Sequence, residues 1–286
     1  MDPPDIRWQC RDRALDLREP VVMGVLNVTP DSFSDGGQFT DPVAALAQAR
    51  RMIGEGAAII DVGGESTRPG ANPAGFEDEL ARVIPVISAI RRESQVFISI
   101  DTSKPEVMRA AVDAGADIIN DVRALRAPGA LGAAAGSGAG VCLMHMKGEP
   151  RTMQDAPSYD DVVTEVQGFL ADRIDACVAA GIARDRIVAD PGFGFGKRVV
   201  DNLELLKHLR RLQGLEVPLL AGLSRKSMLA TLTGKPVEDR IAGGVALAAI
   251  AVLNGARIVR AHDVAATLDA VRVAAAVSQG EDFDVS

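Results

Sequence analysis

The feature that most constrains this chain is a rhythm. Eight short apolar runs, VVMGVLN (21–27), AAIIDVG (57–63), VFISID (96–101), DIINDV (117–122), GVCLMHM (140–146), RIVAD (186–190), VPLLAG (217–222) and ARIVRAH (256–262), alternate with longer helical patterns. Continuous Val, Ile and Leu, rather than strict alternation with polar residues, suits parallel strands covered on both faces. Seven intervals between the runs hold a helix, and residues 263–277 supply an eighth. Eight such units predict an α/β fold, a closed (β/α)8 TIM barrel, more readily than an open doubly wound sheet. Residues 5–18 read as a short N-terminal hairpin. A barrel takes about 250 residues, so a single domain is expected over 1–286, with its core at about 20–278.

Local signals agree. Asp41-Pro42 predicts the start of the first helix, and Ser103-Lys104-Pro105-Glu106 that of the third, because proline suits a first helical turn. Gly56, Gly115, Gly181 and Gly255 fall just past helix ends, where a left-handed cap favours glycine. The small-residue stretch at 124–140 is expected to form a helix plus turn rather than a linker. With 47% hydrophobic but only 3% aromatic residues, the core must be built from closely packed aliphatic side chains.

The charge balance excludes some partners. A net charge of −8 lacks the basic footprint that nucleic acid or an anionic membrane requires. Cys10, Cys142 and Cys177 are odd in number and widely spaced, so neither a disulfide framework nor a zinc cage is indicated. Residues 1–20 hold no signal-like apolar stretch, and the longest apolar run, 245–253, is too short to span a bilayer. A cytoplasmic location is expected.

Polar residues fall where such a barrel does its chemistry. Asn27, Asp61, Asp101, Asn120, His145, Asp190 and the Arg260 and His262 pair sit at or just beyond the ends of the runs, and in this fold the C-terminal strand ends carry the active site. Any one of them could be a capped turn or a satisfied buried side chain; seven such positions together point to a site. Asp101 and Asp190 call for hydrogen-bond donors, whereas the cations Arg68, Arg225, Lys226, Arg260 and His262 would repel one another unless an anion joined them. The expected ligand therefore has a donor-rich part and an anionic part. Three glycine-containing loops, at 27–39, 63–71 and 190–197, flank these positions. The first is far longer than a usual βα connection and is expected to act as a lid.

Taken in order, MGVLNVTPDSFSDGG, DVGGESTRPGA, SIDTSKPEV, INDV, LMHMKGEPRTMQ, DPGFGFGK, GLSRKSML and VRAHDV resemble the motifs of the dihydropteroate synthase family over about residues 20–278. The resemblance implies condensation of 6-hydroxymethyl-7,8-dihydropterin diphosphate with 4-aminobenzoate, with loss of diphosphate, and implies sulfonamides as ligands. It assigns the pterin to Asp101, Asn120, Val122, Met144, Asp190, Phe195, Gly222, Lys226 and Arg260. The diphosphate falls to Asn27, Thr67, Arg68, Arg260 and His262, with Mg²⁺ on the Asn27 side chain. For the aminobenzoate it implies Phe33, Thr67, Pro69, Phe193, Arg225, Lys226 and Ser227. Asp35, Asp101 and Lys226 are the implied catalytic groups. The pathway expected is dissociative, with carboxylates stabilising a cation on the pterin methylene and no covalent enzyme intermediate. His145 is expected to be structural.

Departures from the family pattern, at Lys147, Arg198-Val199-Val200 and Ala261, remove none of these residues. Two alternatives stand beside this reading: a pterin-binding methyltransferase, and a catalytically silent pterin-binding paralogue. The helix expected at 241–254, apolar around most of its circumference, needs more cover than a barrel gives it, and a homodimer would supply it.

Overall fold

The computed structural model describes residues 6–29, 42–65, 74–149, 152–153 and 157–279. The eight apolar runs become strands β3 (Val21–Asn27), β4 (Ile59–Gly63), β5 (Phe97–Asp101), β6 (Ile118–Asp121), β7 (Gly140–Met144), β8 (Ile187–Asp190), β9 (Leu219–Gly222) and β10 (Ala256–Ala261). Each pairs in parallel with its neighbours, and β10 pairs with β3 to close the barrel. The expected hairpin forms as β1 (Arg7–Cys10) and β2 (Arg13–Asp16), paired antiparallel in a sheet of their own.

Helices α1 (Pro42–Gly54), α2 (Phe76–Glu93), α3 (Pro105–Asp113), α4 (Ala130–Ser137), α5 (Val162–Ala179), α6 (Val199–Lys207), α7 (Ser227–Thr233), α8 (Ile241–Leu253) and α9 (Val264–Gln279) follow the strands. The interval after β9 departs from expectation by holding two helices instead of one. Gly234, at φ 69°, caps the first, and Pro236 soon after precludes its continuation. Helix α3 starts at Pro105 as expected, with Lys104 before it making no side-chain cap bond, while the Ser103 hydroxyl donates to Asp121. The glycines at 56, 115, 181 and 255 all take positive φ after helices, as expected. The 124–140 stretch does contain a helix, α4. Asp41 lies outside the described residues.

Aliphatic side chains between strands and helices form the main core, while a second cluster closes the bottom of the barrel. There the hairpin's Trp8, Cys10 and Leu15, together with Leu17, pack under Met23, Ile59, Ile118, Cys142, Val188, Leu220 and Ile258. Trp8 Nε1 donates to the Arg186 carbonyl at 2.9 Å, which satisfies the indole N–H of that plug. Among the described residues no helix is long and apolar enough to cross a membrane.

Candidate active site

Strand geometry builds the site. Side chains two apart on a strand share a face, so the residues two positions beyond the apolar bottom layer also point inward. They are Asp61 after Ile59, Asn120 after Ile118, Met144 after Cys142, Asp190 after Val188, Gly222 after Leu220 and Arg260 after Ile258. One step of two residues thus changes the interior from hydrocarbon to hydrogen-bonding groups. A solvent-open cleft of about 330 Å³ forms there, lined by Asp101, Asn120, Val122, Met144, Asp190, Gly192, Phe193, Phe195, Gly222, Lys226 and Arg260. All nine residues assigned to the pterin are among them.

Arg260 organises the cleft. Its Nε donates to Asp61 Oδ2 at 2.7 Å and its terminal amine to Asp101 Oδ2 at 2.8 Å. Asn120 Nδ2 reaches the same Asp61 oxygen at 3.2 Å, and Asp61 is fully buried. Sequence reasoning noted Asp61 at a strand end but gave it no task. Its spacing from the bottom layer, equal to that of Asn120, Asp190 and Arg260, was the available signal. Burial lifts the Asp101 carboxyl to about 7 against the pull of Arg260, with Asp61 adding like-charge repulsion. Asp190 is likewise raised by burial, although Gly192 N–H donates to its Oδ1 at 2.7 Å.

Two of the expected cations, Arg260 and Arg225, are already paired with carboxylates, contrary to the expectation that they stand opposed until an anion arrives. Arg260 lies between two carboxylates, and Arg225 forms a forked pair with Asp263 at 2.6 and 3.1 Å. His262 is not a cation: burial, with Arg260 next in weight, drives it down to about 3, and its Nδ1 lies 3.2 Å from Ser224 Oγ. Lys226 precedes α7 and holds Nζ 4.1 Å over the Phe195 ring. Burial and then Arg260 lower its amine to about 8.

Asn27 ends β3 beside Gly63 of β4. A Cβ at Gly63 would lie 3.9 Å from Asn27 Oδ1 and 3.8 Å from Asp101 Oδ2, so the bare glycine leaves room between amide and carboxylate. Among the described residues no cluster of three His, Cys, Asp or Glu could cage a metal. A single amide oxygen fits Mg²⁺ only where phosphate oxygens and water complete its shell, which accords with that cation's oxygen ligands and retained waters.

Ser227 opens α7 and is exposed. Phe193, assigned to the aminobenzoate ring, is 1% exposed, belongs to the main core and lines the pterin cleft. Phe33, Asp35, Thr67, Arg68 and Pro69 lie outside the described residues.

The loop after β8 approaches the β7 end with no spare room. At Gly192, φ 66°, a Cβ would lie 1.9 Å from the His145 carbonyl oxygen, and at Gly196 it would lie 2.1 Å from that of Lys147. His145 is buried with its ring edge-on to Phe169 at 4.9 Å, and its Nδ1 lies 2.9 Å from Lys197 Nζ. Lys197 is a second residue given no task in the sequence.

Comparison with known proteins bears on the whole chain. Residues 23–262 match the family model described as pterin binding enzyme. The dihydropteroate synthase of Escherichia coli K12 is 52% identical over 269 residues, spanning 94% of this chain and 95% of the relative. The Yersinia pestis dihydropteroate synthase in complex with a sulfonamide drug superposes with a TM-score of 0.92 at 49% identity, covering 96% of this chain and 100% of that one. For the Xanthomonas albilineans dihydropteroate synthase in complex with 7,8-dihydropteroate the values are 0.88, 52%, 96% and 100%.

Proposed function

This chain belongs to the pterin-binding enzymes and, among them, to the dihydropteroate synthases, and we propose that its cleft joins 6-hydroxymethyl-7,8-dihydropterin diphosphate to 4-aminobenzoate with Mg²⁺ as cofactor. The observation that carries this reading is the convergence of Asp101, Asn120, Asp190, Lys226 and Arg260 on one cleft. A reduced pterin offers a planar edge of N–H donors, which a carboxylate meets with parallel bonds. Asp190, whose Oδ2 makes no hydrogen bond among the described residues, takes that edge, while Asn120 and Asp101 read the remaining ring nitrogens. Val122, Met144 and Phe195 wall the ring, and Gly222 keeps the floor open beneath it.

Catalysis then needs charge placement more than a nucleophile. The bond from the pterin methylene to the diphosphate oxygen breaks with its electron pair leaving on diphosphate. The arylamine nitrogen attacks the methylene and later loses a proton. Arg260, Lys226 and the neutral His262, joined by Thr67 and Arg68, hold the departing anion. Asp101, with Asp35, stabilises the developing cation by fixed negative charge. Asn27 would hold Mg²⁺ together with diphosphate oxygens, and the metal would supply electrostatic stabilisation of the leaving group. The aminobenzoate ring would lie against Phe33, Pro69 and Phe193, with its carboxylate toward Ser227 and Arg225.

Formation of 7,8-dihydropteroate from the two substrates, dependent on Mg²⁺ and abolished by a chelator, is the expected result. Absence of product with both substrates and metal present would defeat the proposal. We further propose a cytoplasmic homodimer. Support for the location comes from the free, buried Cys10, Cys142 and Cys177. Support for the dimer comes from α8 and α9, where Ile241, Ile250, Val273 and Val277 are exposed at 43%, 42%, 65% and 70%.

A further inference from the structure

Among the described residues no carboxylate touches the amine of Lys197. The residue is 3% exposed, and its amine forms no salt bridge among the described residues. It meets neutral acceptors instead: the Gly192 carbonyl at 2.8 Å, His145 Nδ1 at 2.9 Å, the Phe195 carbonyl at 3.2 Å and the His145 carbonyl at 3.5 Å. Burying an ammonium without an ion partner is costly. Accordingly burial lowers this amine to about 7, with Lys226 adding to the effect and Asp190 and Asp201 opposing it. His145 is held neutral, pushed down to about 2 by burial and then by Lys197, so its Nδ1 lone pair stays available to the amine.

What the amine gathers is one wall of the cleft. Its carbonyl ligands at 192 and 195 lie in the segment that supplies Gly192, Phe193 and Phe195 to the cleft lining. Phe195 N–H closes on the Gly192 carbonyl at 3.1 Å, and Asn202 Oδ1 takes Gly194 N–H at 2.7 Å. Gly192 N–H in turn fixes Asp190 Oδ1, and the Phe195 ring lies under Lys226. The loop is wrapped around an amine much as a chelating loop wraps a metal ion, and through Gly192 N–H it hands that order to Asp190, the acid that takes the pterin edge.

We propose that Lys197 is a positioning residue, an internal cation that sets the 190–197 wall of the pterin slot before substrate arrives. The inference rests on the pterin reading of the cleft and adds a residue to it. Lys197 does not touch the reacting atoms, so its loss should appear in pterin binding and not in chemistry.

Steady-state kinetics of Lys197→Met, which keeps the stem and removes the charge, together with calorimetry using 7,8-dihydropteroate, test it. The expected result is a KM for the pterin diphosphate and a Kd for dihydropteroate raised about tenfold or more, because the wall must then be ordered on binding. The turnover number and the KM for 4-aminobenzoate at saturating pterin should change by less than about threefold, since loss of ground-state order acts on binding alone. Lys197→Gln, which retains a donor, should recover part of the pterin affinity. A folded Lys197→Met enzyme with wild-type pterin affinity, or one in which turnover falls while pterin KM holds, overturns the proposal. If neither variant folds, hydrogen exchange of the wild-type enzyme decides. Protection of amides 192, 194 and 195 before ligand is added supports a preset wall, and protection that appears only with dihydropteroate refutes it. Wild-type enzyme that neither binds nor forms dihydropteroate would overturn the reading of the cleft itself, whereas wild-type binding with an unaffected variant would overturn this inference alone.

Discussion

Replacing Asp61 by asparagine should move the acid limb of catalysis to lower pH. In the wild type one guanidinium serves two carboxylates, Asp61 at 2.7 Å and Asp101 at 2.8 Å, so the two acids are held close together. At a separation of about 5 Å and an effective dielectric of about 20, their repulsion is about 3 kcal/mol, or about two pH units as an upper bound. Asp61 raises Asp101, so its neutralisation lowers Asp101 from its position near 7 and keeps the cation-stabilising carboxylate ionised in more acidic solution. Asparagine retains an oxygen for Arg260 and Asn120, so the fold should lose only the charge-assisted part of one buried bond, about 1–3 kcal/mol by denaturant midpoint. The assay is kcat/KM for the pterin diphosphate from pH 5 to 9 in both enzymes, where titration of the diphosphate itself is common to the two profiles and drops out of their difference. A folded, active variant whose acid limb coincides with that of the wild type, or moves upward, would refute the shared-guanidinium account.

Asp101→Asn should keep the circular dichroism spectrum and most dihydropteroate affinity while lowering turnover about 10²-fold, the scale of one preorganised group. Turnover near the wild-type level would remove Asp101 from the catalytic step. Gly192→Ala places a methyl 1.9 Å from the His145 carbonyl at a φ of 66°, so thermal denaturation should show a clear fall in Tm and calorimetry a loss of pterin affinity; retention of both would show that the two loops can separate freely. Asn27→Ala should raise the Mg²⁺ concentration for half-maximal activity about tenfold or more, with excess metal restoring part of the rate. An unchanged metal requirement would place the ion elsewhere.

The barrel was legible because its evidence is repeated eight times: each apolar run is a strand, trimmed by no more than two residues at an end. His145 illustrates the trimming, since β7 stops at Met144 while His145 N–H still donates to the Asp190 carbonyl at 2.9 Å. The interval at 223–255 was harder. A Gly-Lys-Pro break within it divides one helical pattern into α7 and α8, and periodicity alone weighs such a break too lightly.

The site was legible in membership and not in electrostatics. Strand ends marked Asp101, Asn120, Asp190 and Arg260 as inward-facing, and the cleft gathers them. Which charge answers which depends on the distance between strands far apart in sequence: Arg260 meets Asp61 across 199 residues and Asp101 across 159. No local pattern encodes those pairings. Asp61 and Lys197 each sit in a readable motif but meet a partner from a distant part of the chain, Asn120 and Arg260 for Asp61 and His145 for Lys197. A parity count from the apolar bottom layer recovers Asp61, because every second residue of a barrel strand shares its face. It cannot recover Lys197, whose position is set by the close approach of two loops. Strand-borne groups can thus be inferred from spacing alone, whereas loop-borne groups need the packing that only the closed barrel supplies.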